Sequence, residues 1–432
     1  MTDEARYGGY TPGRAARFYV PLLVQAFSQS LTYPLVGAIA SRGQFGVDEL
    51  TAFSQGQIAM FFLGAIGGGL VPTGMVYART LKGYLNFRRL NAYMMVALVA
   101  LQLALALGPL GEWIFETLFK LPSALASIAR WTMAAGAVMQ AGFFLRNVPL
   151  VALFNARAGV EATNATFARI GFTFLCSIAF PALELVGAAW ALAALTLGVL
   201  LELLLTWLFA RPYVRELAHG RVVSVSRQFT FTLPLSLGSA LLACSPVILA
   251  AFVGRSLNAT DMLGVHYVTL GIANPVSYAA LRMQPVSIQF PPEYPGDRRL
   301  LKFAVFAGLM LGLIPLLFGT PLLGSWYYGT CQNISGKMLP TALLMSALYA
   351  PITIIHAVRG RIEGIAAWRE KPRAIMAGQI AYFITLGISA AILLAIGAPG
   401  WVVAMGAIYL APIATTASIY ASLKLNQSQS HL

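Results

Sequence analysis

This chain contains little charge for its length. Only 10% of its 432 residues are charged, whereas soluble domains carry about 25%. Its mean hydropathy is +0.73. Such a composition excludes an ordinary soluble domain and predicts a polytopic membrane protein, because a lipid bilayer can cover apolar surface that water cannot.

Cysteines and catalytic motifs are also scarce. Two of the three cysteines, Cys176 and Cys244, lie in apolar stretches, so Cys331 has no partner for a disulfide and no metal-ligand spacing occurs. The sequence has no P-loop (GxxxxGK followed by Ser or Thr), no HExxH and no GxSxG. We therefore expect no enzyme activity, no direct ATP drive, no cofactor and no metal. The first 18 residues show no short apolar core followed by a cleavage site, so we expect no cleaved signal peptide.

The apolar residues form twelve stretches, each long enough to span a bilayer as a helix, which takes roughly 20 residues. The predicted spans are 16–40, 51–76, 90–108, 123–145, 165–184 and 186–210, followed by 229–253, 262–285, 301–325, 338–357, 374–396 and 400–422.

The second half of the chain repeats the layout of the first half with an offset of 213 residues. The matching positions are Pro21, Arg42, Asp48, Pro72 and Arg146 in the first half and Pro234, Arg255, Asp261, Pro285 and Arg359 in the second half. Six spans is an even number, so both halves enter the membrane with the same orientation. The predicted fold is therefore all-α, with two parallel six-helix lobes related by a pseudo-twofold axis along the membrane normal. The predicted lobes are 1–213 and 229–432, with a cytoplasmic linker at 214–228.

The net charge of +14 does not indicate nucleic-acid binding, because the basic residues are sorted by side. Alternate loops place 24 of the 29 Lys and Arg residues on the side of the N-terminus, counting Arg146, Arg169 and Arg359 there. Basic residues resist translocation, so we expect both termini in the cytoplasm, a plasma (inner) membrane location and attraction to anionic lipid headgroups. On the other side, Arg130 is expected to pair with Glu112 or Glu116 or to line an exit path.

Two predicted spans carry polar side chains along one helix face. Small polar groups inside a membrane face either a wet cavity or a neighbouring helix, and we interpret both stripes as the wall of a substrate cavity. In span 1 the candidates are Arg17, Gln25, Ser28, Gln29 and Thr32; in span 8 they are Tyr267, Asn274, Tyr278 and Arg282. Arginine pairs well with carboxylate and phosphate oxygens, so this cavity favours an anionic substrate.

Prolines within the same spans predict kinks that take part in gating, because proline removes a backbone hydrogen bond. They are Pro21 and Pro34 in span 1, Pro234 and Pro246 in span 7, and Pro275 in span 8. Glu202 is the clearly embedded acid of the sequence. It is a candidate for proton or sodium coupling, with pairing to a nearby basic group as the alternative. The Gly67–Gly69 run predicts close packing or bending.

Several short motifs resemble the multidrug, oligosaccharidyl-lipid and polysaccharide (MATE-like, MOP) exporter superfamily. ArgPheTyrValProLeu at Arg17–Leu22 looks like the entry of its first span, and PheThrLeuProLeu at Phe231–Leu235 looks like the echo in its seventh. ValGlyAlaAlaTrpAla at Val186–Ala191 resembles the start of its sixth span, echoed by GlyAlaProGlyTrp at Gly397–Trp401. Within the superfamily the progressive ankylosis (ANK) transporters are most similar, through the first two spans and AlaProIleThrIleIleHis at Ala350–His356. The loop Arg79–Arg89 lacks the acid of the major facilitator motif.

The resemblance implies a monomeric exporter for a small organic or phosphorylated anion, working by rocker-switch alternating access with a possible coupling ion. A flippase for a lipid-linked saccharide and a cation-coupled multidrug efflux transporter remain alternatives. Cation-coupled drug exporters of this superfamily often carry an aspartate in the first span, and this first span has none, which disfavours their mechanism.

Overall fold

The computed structural model is all-α. It describes residues 10–428 apart from 120, 221, 257, 258, 295, 333 and 335. The side chains of residues 28–34, 47, 118, 259–261 and 425–428 also lie outside the description.

The first half of the chain forms helices α1 to α9. Two of them are short, and each of these adjoins a 3₁₀ or π-helical turn. The elements are α1 (Pro12–Ala40), α2 (Val47–Ala65), a 3₁₀ turn (Ile66–Gly69), α3 (Leu70–Tyr77), α4 (Leu81–Leu107), α5 (Pro109–Glu112) with a π-helical turn (Trp113–Leu118), α6 (Ser123–Ala135), α7 (Ala137–Asn155), α8 (Gly159–Ala182) and α9 (Ala188–Arg215).

The second half forms helices α10 to α18 in the same order. They are α10 (Val225–Val253), α11 (Ala259–Leu281), α12 (Met283–Gln289), α13 (Arg299–Phe318), α14 (Pro321–Gly324) with a π-helical turn (Ser325–Cys331), α15 (Leu339–Leu348), α16 (Ala350–Trp368), α17 (Pro372–Ala395) and α18 (Gly400–Ser428).

The helix bounds reproduce the 213-residue repeat. α1 and α10 have equal lengths of 29 residues, and their first residues, Pro12 and Val225, lie 213 positions apart. Backbone conformation repeats as well. Arg157 and Glu370, at equivalent positions, follow α7 and α16 with φ of 58° and 53°. A positive φ is uncommon for residues with a side chain, so its recurrence at equivalent positions indicates that both halves build the same turns.

The chain folds into two compact units. The N-terminal unit contains residues 27–236, and the C-terminal unit contains residues 1–26 and 237–432. One boundary therefore falls inside α1 and the other inside α10, at nearly equivalent positions of the repeat. The first turns of α1 belong to the C-terminal unit, and the first turns of α10 belong to the N-terminal unit. The predicted lobe boundaries at 213 and 229 describe the sequence repeat, and they stay a prediction.

The protein is a multi-pass membrane protein. Within the described residues, ten helical segments are long and apolar enough to cross a membrane. They carry exposed Leu, Ile, Val and Trp side chains such as Leu175, Val247 and Ile392, which suit contact with lipid. The other two predicted spans correspond to α1 and α11, the helices of the polar stripes.

All twelve predicted spans overlap observed helices, but two predicted ends are wrong. Spans 4 and 10 were expected to end at residues 145 and 357, whereas α7 continues to Asn155 and α16 to Trp368. Arg146 and Arg359, which follow the predicted ends, are buried inside these helices. Arg169 is likewise buried within α8. These three arginines therefore do not lie in loops, and each has polar partners that allow its burial; their side of the membrane stays a prediction.

Close helix contacts in the N-terminal unit depend on the glycines of the 3₁₀ turn. A Cβ on Gly69 would lie 2.6 Å from the Thr232 carbonyl oxygen, and one on Gly67 would lie 2.7 Å from the Phe144 ring. Thr73 and Thr232 also share a hydroxyl hydrogen bond of 2.8 Å. The glycine run thus permits close packing, as predicted, and brings the first turns of α10 against α3.

In the C-terminal unit, the chain before α1 is fastened to the loop before α13. The Tyr10 backbone N–H donates to Glu293 Oε1 at 2.9 Å, and Arg299 Nη2 donates to Glu293 Oε2 at 2.6 Å and to Asp297 Oδ2 at 2.9 Å. The hydrogen bonds from Arg299 hold the pKa values of Asp297 and Glu293 below their usual range. We call Tyr10, Glu293, Asp297 and Arg299 the N-terminal clasp.

Candidate functional site: two buried arginine clusters

The N-terminal unit contains a buried carboxylate that is bound by two arginines. Arg146 Nη1 and Arg169 Nη1 both donate to Glu202 Oε2, at 2.6 and 3.0 Å, and the Thr166 hydroxyl donates to Glu202 Oε1 at 2.6 Å. The Arg146 guanidinium carbon lies 5.2 Å from the centre of the Phe143 ring. The three charged side chains are 9%, 4% and 1% exposed for Arg146, Arg169 and Glu202. We call Arg146, Arg169, Glu202 and Thr166 the N-cluster.

Three helices position the N-cluster. Arg146 lies on α7, Arg169 and Thr166 lie on α8, and Glu202 lies on α9. Thr166 and Arg169 are three residues apart, so both side chains emerge on one face of α8. The neighbouring positions are small or apolar: Gly198 on α9 would place a Cβ 2.6 Å from Thr173 Oγ1 and 3.2 Å from Arg169 Cγ. Its lack of a side chain lets α8 and α9 approach closely enough for the ion pairs to form.

The C-terminal unit has a cluster of similar construction. Arg359 Nε donates to Glu363 Oε1 at 2.8 Å, and Arg359 Nη2 donates to Gln379 Oε1 at 2.7 Å. Gln379 Nε2 in turn donates to Glu363 Oε1 at 2.9 Å, which closes a three-membered ring of hydrogen bonds. The Tyr382 ring centre lies 4.9 Å from the Arg359 guanidinium carbon. We call Arg359, Glu363, Gln379 and Tyr382 the C-cluster.

The C-cluster joins α16 to α17. Arg359 and Glu363 are four residues apart on α16, so they are neighbours on one face of the helix. Gln379 and Tyr382 are three residues apart on α17 and meet them from the second helix. Gly238, in the C-terminal unit portion of α10, would place a Cβ 2.7 Å from Gln379 Cγ. Absence of a side chain there leaves room for the glutamine.

The two clusters share three positions of the repeat but take their carboxylates from different positions, and they differ in charge. Arg146 corresponds to Arg359, and Thr166 corresponds to Gln379, each by the 213-residue offset. Arg169, however, corresponds to Tyr382. The N-cluster therefore has two positive charges against one carboxylate, and the C-cluster has one against one.

The predicted residues of span 1 are only partly described. Arg17 is exposed, whereas Pro21 and Gln25, on the same face of α1, are buried. Ser28, Gln29, Thr32 and Pro34 lie outside the described side chains. Between Arg17 and Pro21, the Tyr19 hydroxyl donates to the Ala279 carbonyl on α11 at 3.2 Å. This bond ties the start of α1 to the helix that carries the second predicted stripe.

The predicted residues of α11 lie along its more exposed side. Tyr267 and Tyr278 are 58% and 57% exposed, and Asn274 and Arg282 are half-buried. Gly271, between the two tyrosines, is also exposed, so this face combines a glycine with side chains that end in polar groups. Such a face is unusual against lipid, because amide and hydroxyl groups lose their hydrogen bonds with water there. Its role as a substrate wall stays a prediction.

Helices continue through the predicted prolines. α1 continues through Pro21, α10 through Pro234 and Pro246, and α11 through Pro275. The chain between α11 and α12 departs from a continuous helix at Arg282 instead. Bending of these helices during gating stays a prediction.

Two ion pairs that the sequence analysis gave as alternatives are present in the structure. Arg130 Nη1 donates to Glu112 Oε1 at 2.7 Å, and Glu202, the candidate for ion coupling, is bound to Arg146 and Arg169. The sequence alone did not identify Glu363, Gln379, Arg169 or Tyr382 as site residues. The matched arginines at 146 and 359 are the signal that could have found them, since a repeated position marks a shared structural role.

Comparisons with solved structures show the fold. A MATE transporter in the straight conformation matches with a TM-score of 0.76 at 17% sequence identity, covering 100% of both chains. An outward-facing multidrug resistance MATE family transporter of the MOP superfamily matches with a TM-score of 0.65 at 16% identity, also over 100% of both chains. A MOP superfamily transporter from Pyrococcus furiosus matches with a TM-score of 0.69 at 13% identity, over 99% of this chain and 98% of that one.

The Pyrococcus furiosus protein has a binding pocket of reverse polarity, which suggests a different function for that protein. No protein-family model matches this chain, and no curated protein sequence is significantly similar to it. The full-length structural matches therefore establish that the chain has the fold of MATE transporters.

Proposed function

We propose that this chain is a secondary transporter that exports a small organic or phosphorylated anion by rocker-switch alternating access. The fold is that of MATE transporters, and the sequence has no P-loop. Its twelve spans would form two like-oriented lobes with both termini in the cytoplasm, in a monomer at the plasma (inner) membrane. Of the families with this fold, the ANK transporters remain the nearest resemblance in sequence motifs.

The observation that supports an anionic substrate is the pairing of the buried carboxylates with arginine. Glu202 and Glu363 are buried, one in each unit, and arginine side chains bind both of them at 2.6 to 3.0 Å. A carboxylate that is bound to arginine is a poor ligand for a cationic drug or for sodium, because the guanidinium already occupies the position of the cation. Both of these carboxylates are therefore already paired, and the arginines beside them belong to a residue type that pairs well with carboxylate and phosphate groups.

The polar faces of α1 and α11 support a route for such a substrate. Arg17, Gln25, Asn274, Tyr278 and Arg282 supply hydrogen-bond donors to a carboxylate or phosphate group. All five belong to the C-terminal unit. The exposed tyrosines and the half-buried Asn274 on α11 give this face a polar surface without fixed negative charge.

Transport by reconstituted protein tests the proposal. Purified protein in liposomes should accumulate radiolabelled carboxylate or phosphate-bearing compounds, and Arg17→Gln and Arg282→Gln should each lower that flux about tenfold or more through loss of a charge-assisted contact. Arg88→Gln removes an equal charge from an exposed site on α4 and serves as the matched control. Unchanged flux in both variants would refute the site assignment. Flux of organic cations or of a lipid-linked saccharide, with no anion flux, would overturn the anionic substrate.

A further inference from the structure

Two helices of the N-terminal unit carry an exposed apolar face that ends in basic residues. On each helix the exposed residues recur every three or four positions, so they form one stripe along it. The stripe of α9 consists of Leu197, Leu200, Leu204, Leu208, Arg211 and Arg215. The stripe of α4 consists of Lys82, Leu85, Arg89, Tyr93 and Val96. The basic residues lie near the last residue of α9 and near the first residue of α4.

The basic residues lie where these helices reach the surface of a bilayer. Arg89 precedes the last residue of α4, Leu107, by 18 positions, which correspond to about 27 Å of helix. The hydrocarbon core of a bilayer is about 30 Å thick. Tyr93, one turn after Arg89, is exposed, and tyrosine is enriched at the level of the headgroups. The apolar part of each stripe therefore suits lipid acyl chains, and the basic part suits headgroups.

The linker after α9 brings the basic ends of both stripes together. The Leu81 backbone N–H donates to the Ala218 carbonyl at 3.1 Å, and Asn86 Nδ2 donates to the Val223 carbonyl at 2.9 Å. Residues 218–223 therefore lie on the first turns of α4. The contact at Ala218 comes three positions after the last residue of α9, so the end of α9 lies beside the start of α4.

The ends of the two stripes combine to form a positively charged surface. We call its four exposed side chains the basic patch: Lys82, Arg89, Arg211 and Arg215. In the part of the chain that the structure describes, none of the four lies within ion-pair distance of a carboxylate. Two carboxylates are near the end of α9: Glu216 follows it directly, and Glu161 accepts a hydrogen bond from the Tyr213 hydroxyl at 3.0 Å. The basic side chains outnumber them, so the surface keeps a positive surplus.

The C-terminal unit repeats only half of the basic patch. By the 213-residue offset, Arg89 and Arg211 correspond to Lys302 and Lys424, whereas Lys82 and Arg215 correspond to Pro295 and Ser428. The Lys424 ammonium also lies over the Tyr420 ring, 5.0 Å from its centre. The concentration of positive charge at this place is therefore a property of the N-terminal unit and does not follow from the shared fold.

We infer that the basic patch binds the headgroup of an anionic phospholipid whose acyl chains lie along the apolar parts of α4 and α9. Arginine donates charge-assisted hydrogen bonds to phosphate oxygens, and the leucines of α9 cover the acyl chains. A free phosphate ion would make only the first kind of contact, so the arrangement favours a lipid. Such a lipid joins α4 to α9 and should stabilise the N-terminal unit. This inference does not depend on which substrate is transported.

Lipid binding by the full-length protein tests the basic patch. Native mass spectrometry in a non-ionic detergent compares phosphatidylglycerol with phosphatidylcholine of the same acyl chains, and phosphatidylglycerol should bind more tightly. Arg89→Gln with Arg211→Gln should weaken its affinity roughly 10- to 30-fold, since a basic residue at a membrane surface contributes about a factor of five. Lys302→Gln with Lys424→Gln removes two charges at the equivalent positions of the C-terminal unit, so this matched control should bind like the unmodified protein.

Thermal unfolding gives a second measurement. Phosphatidylglycerol should raise the melting temperature of the unmodified and control proteins more than that of the Arg89→Gln, Arg211→Gln variant, and Arg89→Lys with Arg211→Lys should retain most of the affinity because it keeps the charge. Equal affinities for phosphatidylglycerol in the two glutamine double variants would overturn the inference, and so would binding of phosphatidylcholine that is equally tight. Inorganic phosphate that displaces the lipid and stabilises the protein to the same extent would show a free-anion site instead.

Discussion

Replacement of Glu363 by glutamine removes the negative charge that balances Arg359 in the C-cluster. Arg359 is only 1% exposed, so its guanidinium would keep a neutral amide acceptor from Gln379 but lose its counter-ion. Breaking a buried ion pair by removing one partner costs about 3–5 kcal/mol. At about 2–4 °C per kcal/mol for a unit of this size, the expected fall in melting temperature is roughly 6–20 °C.

A double variant separates the effect of the side-chain charges on stability from the effect of side-chain shape. Glu363→Gln combined with Arg359→Met removes both charges and keeps similar side-chain volumes, so it should recover most of the lost stability. Thermal unfolding of the detergent-solubilised protein, followed by tryptophan fluorescence, measures all four members of the cycle. A Glu363→Gln variant that melts within about 2 °C of the unmodified protein would refute the reasoning, and so would a double variant that melts as low as Glu363→Gln.

Two further predictions concern packing and pH. Gly69→Ala should destabilise the N-terminal unit by about 1–3 kcal/mol, because its Cβ would overlap the Thr232 carbonyl. Gly171→Ala is the control: nothing lies within 4 Å of the added Cβ, so this change should stabilise α8 slightly. Equal melting temperatures in the two variants would contradict the close contact at Gly69. The pKa values of Asp297 and Glu293 are lowered in the folded protein, so the N-terminal clasp should be intact above the ordinary carboxyl pKa of about 4 and should weaken as the pH falls below it. The protection factors of the amides at residues 10–16, which correct for the pH dependence of intrinsic exchange, should therefore fall between pH 5 and pH 3, and Asp297→Asn should lower them already at pH 7. Protection factors that do not change with pH would rule out the clasp.

The twelve apolar stretches predicted the helices well because the hydrophobic requirement of a membrane span dominates the local sequence. The same rule failed where a charge enters a span. Hydropathy ended spans 4 and 10 just before Arg146 and Arg359, yet α7 and α16 both continue for about ten residues beyond. Each arginine is tolerated because partners on α9, or on α16 and α17, satisfy it. Hydropathy along one helix cannot register a partner on another.

The candidate site shows the same limit in a second form. Glu202 was recognisable as an embedded acid, and pairing with a basic group was one of two interpretations. Its partners, however, lie 56 and 33 positions away along the chain, so only packing of α7, α8 and α9 selects them. Glu363 was overlooked because it follows Arg359 in what looked like a basic loop, and a carboxylate among arginines in a loop needs no special explanation.

The sequence repeat relates the two clusters, and it limits the possible causes of their difference in charge. Both units use the same helices, the same turn with a positive φ after α7 and α16, and an arginine at the same position of the central helix. Backbone geometry therefore does not make the N-cluster positive and the C-cluster neutral. The charge difference lies in three substitutions within this shared frame: Glu363, Tyr382 and Thr415 stand where the first half has Leu150, Arg169 and Glu202. The C-cluster supplies its own counter-ion on the same helix, one turn from its arginine. The N-cluster takes its carboxylate from a third helix and divides it between two arginines, so its ion pairs join α7, α8 and α9, whereas those of the C-cluster need only α16.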